Sequence, residues 1–240
     1  VNSPRAKKMR KDMLDGKPLP SACERCVSKQ QNNLNTMRTG LNSKWFDETK
    51  DLIASTAEDG TLSELQLKYW DFRFSNYCNL ACTTCSPLFS TQWSKDFQKL
   101  HPGADKYSDT QLIDLKEANV FWEDIEEHLD TMKEIHFAGG EPLIMPEHWR
   151  ILKMLDEKQK YDIALRYSTN GTTLGTKKQD VMEMWKKFDY VHLSISIDGE
   201  GDAFEHIRYK GKWDQTLVNL KKIRASRAVD YWFHPTVSIL

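Results

Sequence analysis

The segment Cys78-Asn-Leu-Ala-Cys82-Thr-Thr-Cys85 constrains this chain more than any other, because it sets three cysteines at C-x3-C-x2-C spacing. Just ahead of it, Trp70, Phe72 and Phe74 alternate with the charged Asp71 and Arg73. That is the period-2 pattern of a strand covered on one face. The fold must therefore deliver three thiols from one loop at the end of a strand. Soft thiolates brought together favour iron–sulfur and zinc centres. Structural zinc sites usually take four ligands in C-x2-C pairs, and three unrelated core cysteines rarely fall this close together. The loop suits a four-iron cluster with one corner left unligated by protein. An iron with a vacant position can bind and activate a small molecule, so the spacing points to catalysis rather than electron storage.

The other two cysteines, Cys23 and Cys26, form a second tight group in the 240-residue chain. Two such groups read as metal sites in a reducing, cytoplasmic-type compartment, not as a disulfide framework. The balance of 34 Lys and Arg against 35 Asp and Glu gives no reason to expect nucleic acid or an anionic membrane as partner. No apolar run approaches the roughly 20 residues of a membrane span. The seven histidines show no H-x-x-H grouping, and the eight tryptophans fit helical stripes and read as packing.

Residues 1 to about 42 are basic and polar, with Gly16, Pro18 and Pro20 marking loops. Trp45, Phe46, Leu52 and Ile53 then share one face of an expected helix. After the strand at Tyr69–Phe74, further strands are expected at Glu134–Ala138, Ala164–Thr169, Val191–Ile197 and Tyr231–Leu240. Between them, Trp122/Ile125/Leu129/Met132, Trp149/Leu152/Leu155, Val181/Trp185/Phe188 and Leu217/Leu220/Ile223 fall at helical spacing, and Pro146 suits a first helical turn. Strand–helix alternation predicts an α/β fold with a parallel sheet or an open barrel of βα units. Both ends read as cut: the chain starts at Val1 in polar sequence and stops inside its expected fifth strand.

In such folds ligands gather at the carboxyl ends of the strands. The cysteine loop, Gly139-Gly140-Glu141-Pro142, Asn170-Gly171 and Asp198-Gly199 all fall there. Gly139 and Gly140 expose backbone, and Glu141 adds a carboxylate able to hold an ammonium; alone, the pair could be no more than a turn. Ser194, Ser196 and Asp198 share one face of their strand, suiting either a ribose or a hydrogen-bonded polar core. Arg208 could pair with a carboxylate or lie on the surface.

Taken together, these residues resemble the radical S-adenosylmethionine (SAM) superfamily, over about residues 68–240. The resemblance implies a partial (β/α)6 TIM-like barrel, here lacking its sixth strand. Cys78, Cys82 and Cys85 would bind a [4Fe-4S] cluster, its fourth iron taking the amino and carboxylate groups of SAM. Gly139, Gly140 and Glu141 match the motif contacting the SAM amino group. Ser194, Ser196 and Asp198, with Asn170, fall where the cofactor's ribose side is held, and Arg208 matches an arginine reaching the carboxylate. Tyr77 and Leu80 also match the family's usual loop.

Met9-Arg10, Met13, Gly16, Cys23-Glu-Arg-Cys26, Arg38 and Asn42 resemble the twitch module related to SPASM domains, which binds an auxiliary iron–sulfur cluster. Cys23 and Cys26 would then be two of that second cluster's ligands, a zinc knuckle being the alternative. The organisation expected is an auxiliary module over 1–45, a linker helix over 46–67 and a radical SAM core over 68–240. The expected activity is reductive SAM cleavage followed by hydrogen abstraction from a substrate, with a peptide as candidate. A flavodoxin or ferredoxin would be the electron donor. The competing reading is an electron-transfer or metal-binding module that never cleaves SAM.

Overall fold

The alternating segment before the cysteine loop forms the first strand of a parallel sheet. The computed structural model describes residues 2–17, 23–103, 119–176 and 179–237, and divides into two compact units, Val1–Gln66 and Leu67–Leu240. Among these residues no helix is long and apolar enough to cross a membrane.

The first unit holds helices α1 (Pro4–Leu14), α2 (Glu24–Gln31) and α3 (Met37–Ala54). The first two lie in the basic, polar stretch on either side of the loop marked by Gly16. Local capping explains them: the Ser3 hydroxyl accepts from the Ala6 N–H with Pro at the first position, and Thr36 and Thr39 cap each other's backbone at the start of α3. None of the three helices contains a fully buried residue. Instead, Lys7 pairs with Asp59 at 3.1 Å and Arg10 Nε donates to the Gly60 carbonyl at 2.7 Å, tying α1 to the segment after α3. Pro18 and Pro20 lie outside the described residues.

The second unit is a five-stranded parallel sheet of β1 (Tyr69–Phe72), β2 (Glu134–Phe137), β3 (Ala164–Thr169), β6 (Val191–Ile195) and β7 (Asp230–Phe233), in that spatial order. A small antiparallel pair, β4 (Gly175–Thr176) and β5 (Gln179–Asp180), follows β3. The helices are α4 (Ser94–Leu100), α5 (Asn119–His128), α6 (Pro146–Glu157), α7 (Val181–Trp185), α8 (Gly201–Ile207) and α9 (Trp213–Ala225). Each strand of the large sheet pairs with the one before it. The strand order runs in one direction across the sheet, and the right-handed crossovers usual between parallel strands then put the helices on one face. This is barrel-type winding.

The two faces differ chemically. Towards the helices, Phe72, Ile135, Phe137, Leu165, Tyr167, Leu193 and Ile195 pack with Trp122, Ile125, Leu152, Leu155, Trp185 and Ile223 in one core. On the opposite face, Asp71, His136, Arg166, His192 and Asp230 stand in register across the five strands. Arg166 Nε meets Glu134 Oε1 at 2.9 Å. Strands covered on both faces read as continuous apolar runs; here the alternation shows that the chain's own helices cover only one.

The last two strands stop earlier than the sequence suggested. β6 ends at Ile195, and β7 begins at Asp230 and ends at Phe233. Pro235, which has no N–H to donate to a ladder, follows shortly after. Residues 238–240 of the expected strand lie outside the described residues.

One histidine tests the core. His148 is fully buried, with Nε2 3.0 Å from the Tyr167 hydroxyl and its ring against Phe137 and Trp149. Burial pushes its pKa down to about 3. A depressed pKa gives stability that is present above the unfolded value of about 6.5 and is lost as pH falls toward the folded value. Wild-type stability should therefore drop by a few kcal/mol between about pH 6.5 and pH 4 through this group. Urea midpoints of His148→Gln should fall less steeply over that interval; parallel slopes would refute the assignment.

Candidate active site

The cysteine loop has little regular structure of its own, so its shape comes from its neighbours. Behind it, Gly140 N–H donates to the Ser75 carbonyl at 3.0 Å and Glu141 N–H to the Tyr77 carbonyl at 2.8 Å. Glycine is needed for that approach. A Cβ on Gly140 would fall 2.1 Å from the Tyr77 carbonyl oxygen, and Gly139 has φ +114° with the Ser75 carbonyl 2.8 Å from its own notional Cβ. On the other side, Ala81 N–H donates to the Tyr209 carbonyl at 3.0 Å and Thr83 N–H to the Ile207 carbonyl at 2.8 Å. Trp93 Nε1 donates to the Cys82 carbonyl at 2.9 Å, and the Ser90 hydroxyl to the Leu80 carbonyl.

A side-chain network joins the loop to the end of β3. Asn170 Nδ2 donates to Asn79 Oδ1 at 2.9 Å, and Asn79 Nδ2 donates to Thr172 Oγ1 at 2.9 Å. Thr172 closes the ring by donating from its backbone N–H (2.9 Å) and its hydroxyl (2.6 Å) to Asn170 Oδ1. Asn170 Nδ2 also lies 3.9 Å from Cys78 Sγ.

These contacts bring Cys78, Cys82 and Cys85 to the wall of one cavity of about 220 Å³, shared with Gly139, Gly140, Ser168, Asn170, Ser196 and Arg208. All three cysteines are free thiols. Among the described residues no group of three His, Cys, Asp or Glu side chains converges on a single ion. A four-iron cluster makes a different demand, one thiolate per iron, which three cysteines around one cavity can meet. Burial raises all three thiols, Cys78 to about 11, while the nearby Arg208 charge pulls Cys82 and Cys85 back down. Metal binding here must release thiol protons.

Glu141, expected to present a carboxylate to the cavity, is instead completely buried and does not line it. Its Oε1 accepts from Thr169 Oγ1 at 2.7 Å and Leu143 N–H at 3.2 Å, its Oε2 from Asn170 N–H at 2.8 Å. Burial pushes its pKa up to about 7 against the pull of these donors. The carboxylate thus ties the β2 and β3 loops together.

The serine–aspartate face divides likewise. Ser196 lines the cavity. Ser194 accepts from Trp232 Nε1 at 2.8 Å and lies 3.1 Å from His234 Nδ1. Asp198 Oδ2 pairs with Arg208 Nη2 at 2.7 Å, both side chains buried, and Asp198 Oδ1 accepts from the Thr236 N–H at 2.7 Å. Arg208 is only 7% exposed, so its guanidinium belongs to the site and not to the surface.

Asn79, Thr172, Ser168 and Phe89 also belong to the site, beyond the residues expected from sequence. Ser168 could have been found, because it shares the strand face of Asn170 two residues on. Phe89 also lines the cavity, although 63% exposed. Asn79 and Thr172 carry no local signal; only their mutual distance makes them a network.

In the first unit, Cys23 precedes α2 and Cys26 lies in its first turn, both half-buried. Arg10, Met13, Arg38 and Asn42, singled out from sequence, line a separate cavity of about 370 Å³ in that unit.

A GTP 3',8-cyclase 1 of Mycobacterium tuberculosis is 24% identical over 194 residues, covering 78% of this chain and 48% of that protein. The GTP 3',8-cyclase of Campylobacter lari is 25% identical over 133 residues, covering 55% of this chain and 35% of that protein. The chain thus spans about half the length or less of these curated relatives. Among solved structures, Streptococcus suis SuiB bound to S-adenosylmethionine superposes with a TM-score of 0.45 at 16% identity, covering 84% of this chain and 40% of that one. The family model of the Radical SAM superfamily matches residues 72–235, a span that starts in β1, takes in the cysteine loop and ends just past β7. The chain belongs to the radical SAM superfamily, a family whose members imply a [4Fe-4S] cluster and SAM.

Proposed function

We propose that this protein is a radical SAM enzyme that holds a [4Fe-4S] cluster on Cys78, Cys82 and Cys85 in a (β/α)6-type partial barrel. One observation carries the reading: three thiols of one short loop share a cavity wall with the Gly139–Gly140 backbone, Ser196 and Arg208. Held there, a reduced cluster would supply the electron for reductive cleavage of SAM, to methionine and a 5′-deoxyadenosyl radical able to take hydrogen from a substrate.

The chain's own residues bind and orient. The Gly139–Gly140 backbone faces the SAM amino group, with Glu141 bracing that turn from behind through its three donors. Arg208 supplies positive charge for the SAM carboxylate. Ser196 meets the ribose side, Asp198 and Ser194 hold the end of β6 in place, and Asn170 locks the cysteine loop to β3. Cys23 and Cys26, three residues apart at the start of α2, are two ligands of an auxiliary cluster in a twitch-like N-terminal unit. The substrate class is a peptide, on the N-terminal resemblance, and the electron donor a flavodoxin or ferredoxin in a reducing cytoplasm.

The decisive assay is anaerobic iron–sulfur reconstitution of the chain followed by SAM and dithionite. 5′-Deoxyadenosine should appear in step with methionine; a loaded cluster that yields none, with or without added peptides, would favour a plain electron-transfer module. Cys82→Ala should remove this cluster's iron and its EPR signal while leaving any iron held by Cys23 and Cys26. Unchanged iron content in that variant would count against the ligand set. Gly140→Ala forces a Cβ into the Tyr77 carbonyl and should cut SAM cleavage by at least tenfold, with circular dichroism showing the sheet retained. Wild-type activity in that variant would show that the close approach is dispensable.

A further inference from the structure

Arg208 makes two contacts that SAM binding does not explain. Its Nη1 donates to Cys82 Sγ at 3.8 Å, and its Nη2 meets the buried Asp198 Oδ2 at 2.7 Å. Its Nε has no hydrogen-bond partner among the described residues. The backbone fixes this arrangement from both sides. The carbonyls of Ile207 and Tyr209, flanking Arg208, accept from the N–H groups of Thr83 and Ala81, flanking Cys82. Cys82 is thereby set opposite Arg208 over 126 residues of sequence separation. The turn that follows is tight, with Lys210 at φ +75° and the Gly211 N–H donating to the Arg208 carbonyl at 2.8 Å. A non-glycine residue in the left-handed region is uncommon, and here it lets the chain reverse directly after Arg208.

We propose that Arg208 is a positioning residue of the redox centre, one that sets the reduction potential of the cluster held by Cys82, with Asp198 as its counterweight. Reduction adds one negative charge to an iron–sulfur cluster, and both N–H···S hydrogen bonds and nearby net charge set its potential. A buried guanidinium against a ligand sulfur stabilises the reduced state. A carboxylate 2.7 Å behind that guanidinium offsets part of its charge. Removing one charge or the other should therefore move the potential in opposite directions, a response that simple loosening of the loop would not produce.

This inference rests on the cluster assignment above, and the test separates the two. The reconstituted chain, Arg208→Gln, Arg208→Lys and Asp198→Asn are titrated electrochemically with EPR detection of the reduced cluster, without SAM. Arg208→Gln should lower the reduced-to-oxidised ratio about tenfold at a fixed poise, equivalent to about 59 mV for a one-electron couple. Arg208→Lys should recover most of that loss, and Asp198→Asn should raise the ratio above wild type. An Arg208→Gln midpoint equal to wild type, or both charge removals shifting the same way, overturns the proposal. Should Arg208→Gln fail to hold iron, the Asp198→Asn arm decides: a rise supports the proposal and no rise overturns it. A wild-type chain that binds no cluster overturns the functional reading itself, and this inference with it.

Discussion

The close approach of two backbones, Gly140 against the Tyr77 carbonyl, is the constraint on which the site depends. The loop carrying the three cysteines has almost no internal hydrogen bonding to define it; Cys85 N–H to the Cys82 carbonyl is its one short turn. It keeps a shape because the β2 loop, the β3 loop and the segment after α8 each donate to it or accept from it. Any Cβ at position 140 would push the β2 loop away. The glycine pair thus serves structure first, and its bare backbone facing the cavity follows from the same lack of side chains.

Glu141 and Asp198 show the same economy. Each carboxylate is buried and spent on cross-links between strand ends: Glu141 on Thr169, Asn170 and Leu143, Asp198 on Arg208 and Thr236. Buried carboxylates survive only when donors or a cation compensate the lost hydration. In both cases some of the compensating groups come from a neighbouring segment, so satisfying the charge also joins the two segments. Polar residues at the strand mouths therefore assemble the cavity as much as they line it.

Much of the fold was legible because the sheet's two faces carry different chemistry. Phe72, Phe137, Tyr167 and Leu193 against Asp71, His136, Arg166 and His192 is a period-2 signal, and strands flanked by helix-spaced tryptophans and leucines leave few alternatives. The N-terminal helices were not legible by that means. They bury no residue fully, so periodicity is weak there, although the Ser3-Pro4 start and the Thr36–Thr39 cap were signals at hand. The ends of β6 and β7 were over-extended because alternation continues in sequence after pairing stops.

What the sequence determined by itself was the set of residue types: three thiols at C-x3-C-x2-C after a strand, a glycine pair after the next, and polar residues at the ends of the later strands. Local spacing suffices there, since thiols on one short loop are neighbours in any fold. Tertiary structure alone decided which of the polar side chains face the cavity. Ser196 and Arg208 do, whereas Glu141, Ser194 and Asp198 turn to partners 28 to 40 residues away, to Leu143 or to Arg208. It also decided that Arg208 meets Cys82 across 126 residues. The physical reason is that burial and pairing depend on distances between segments, and a linear spacing carries no record of those distances.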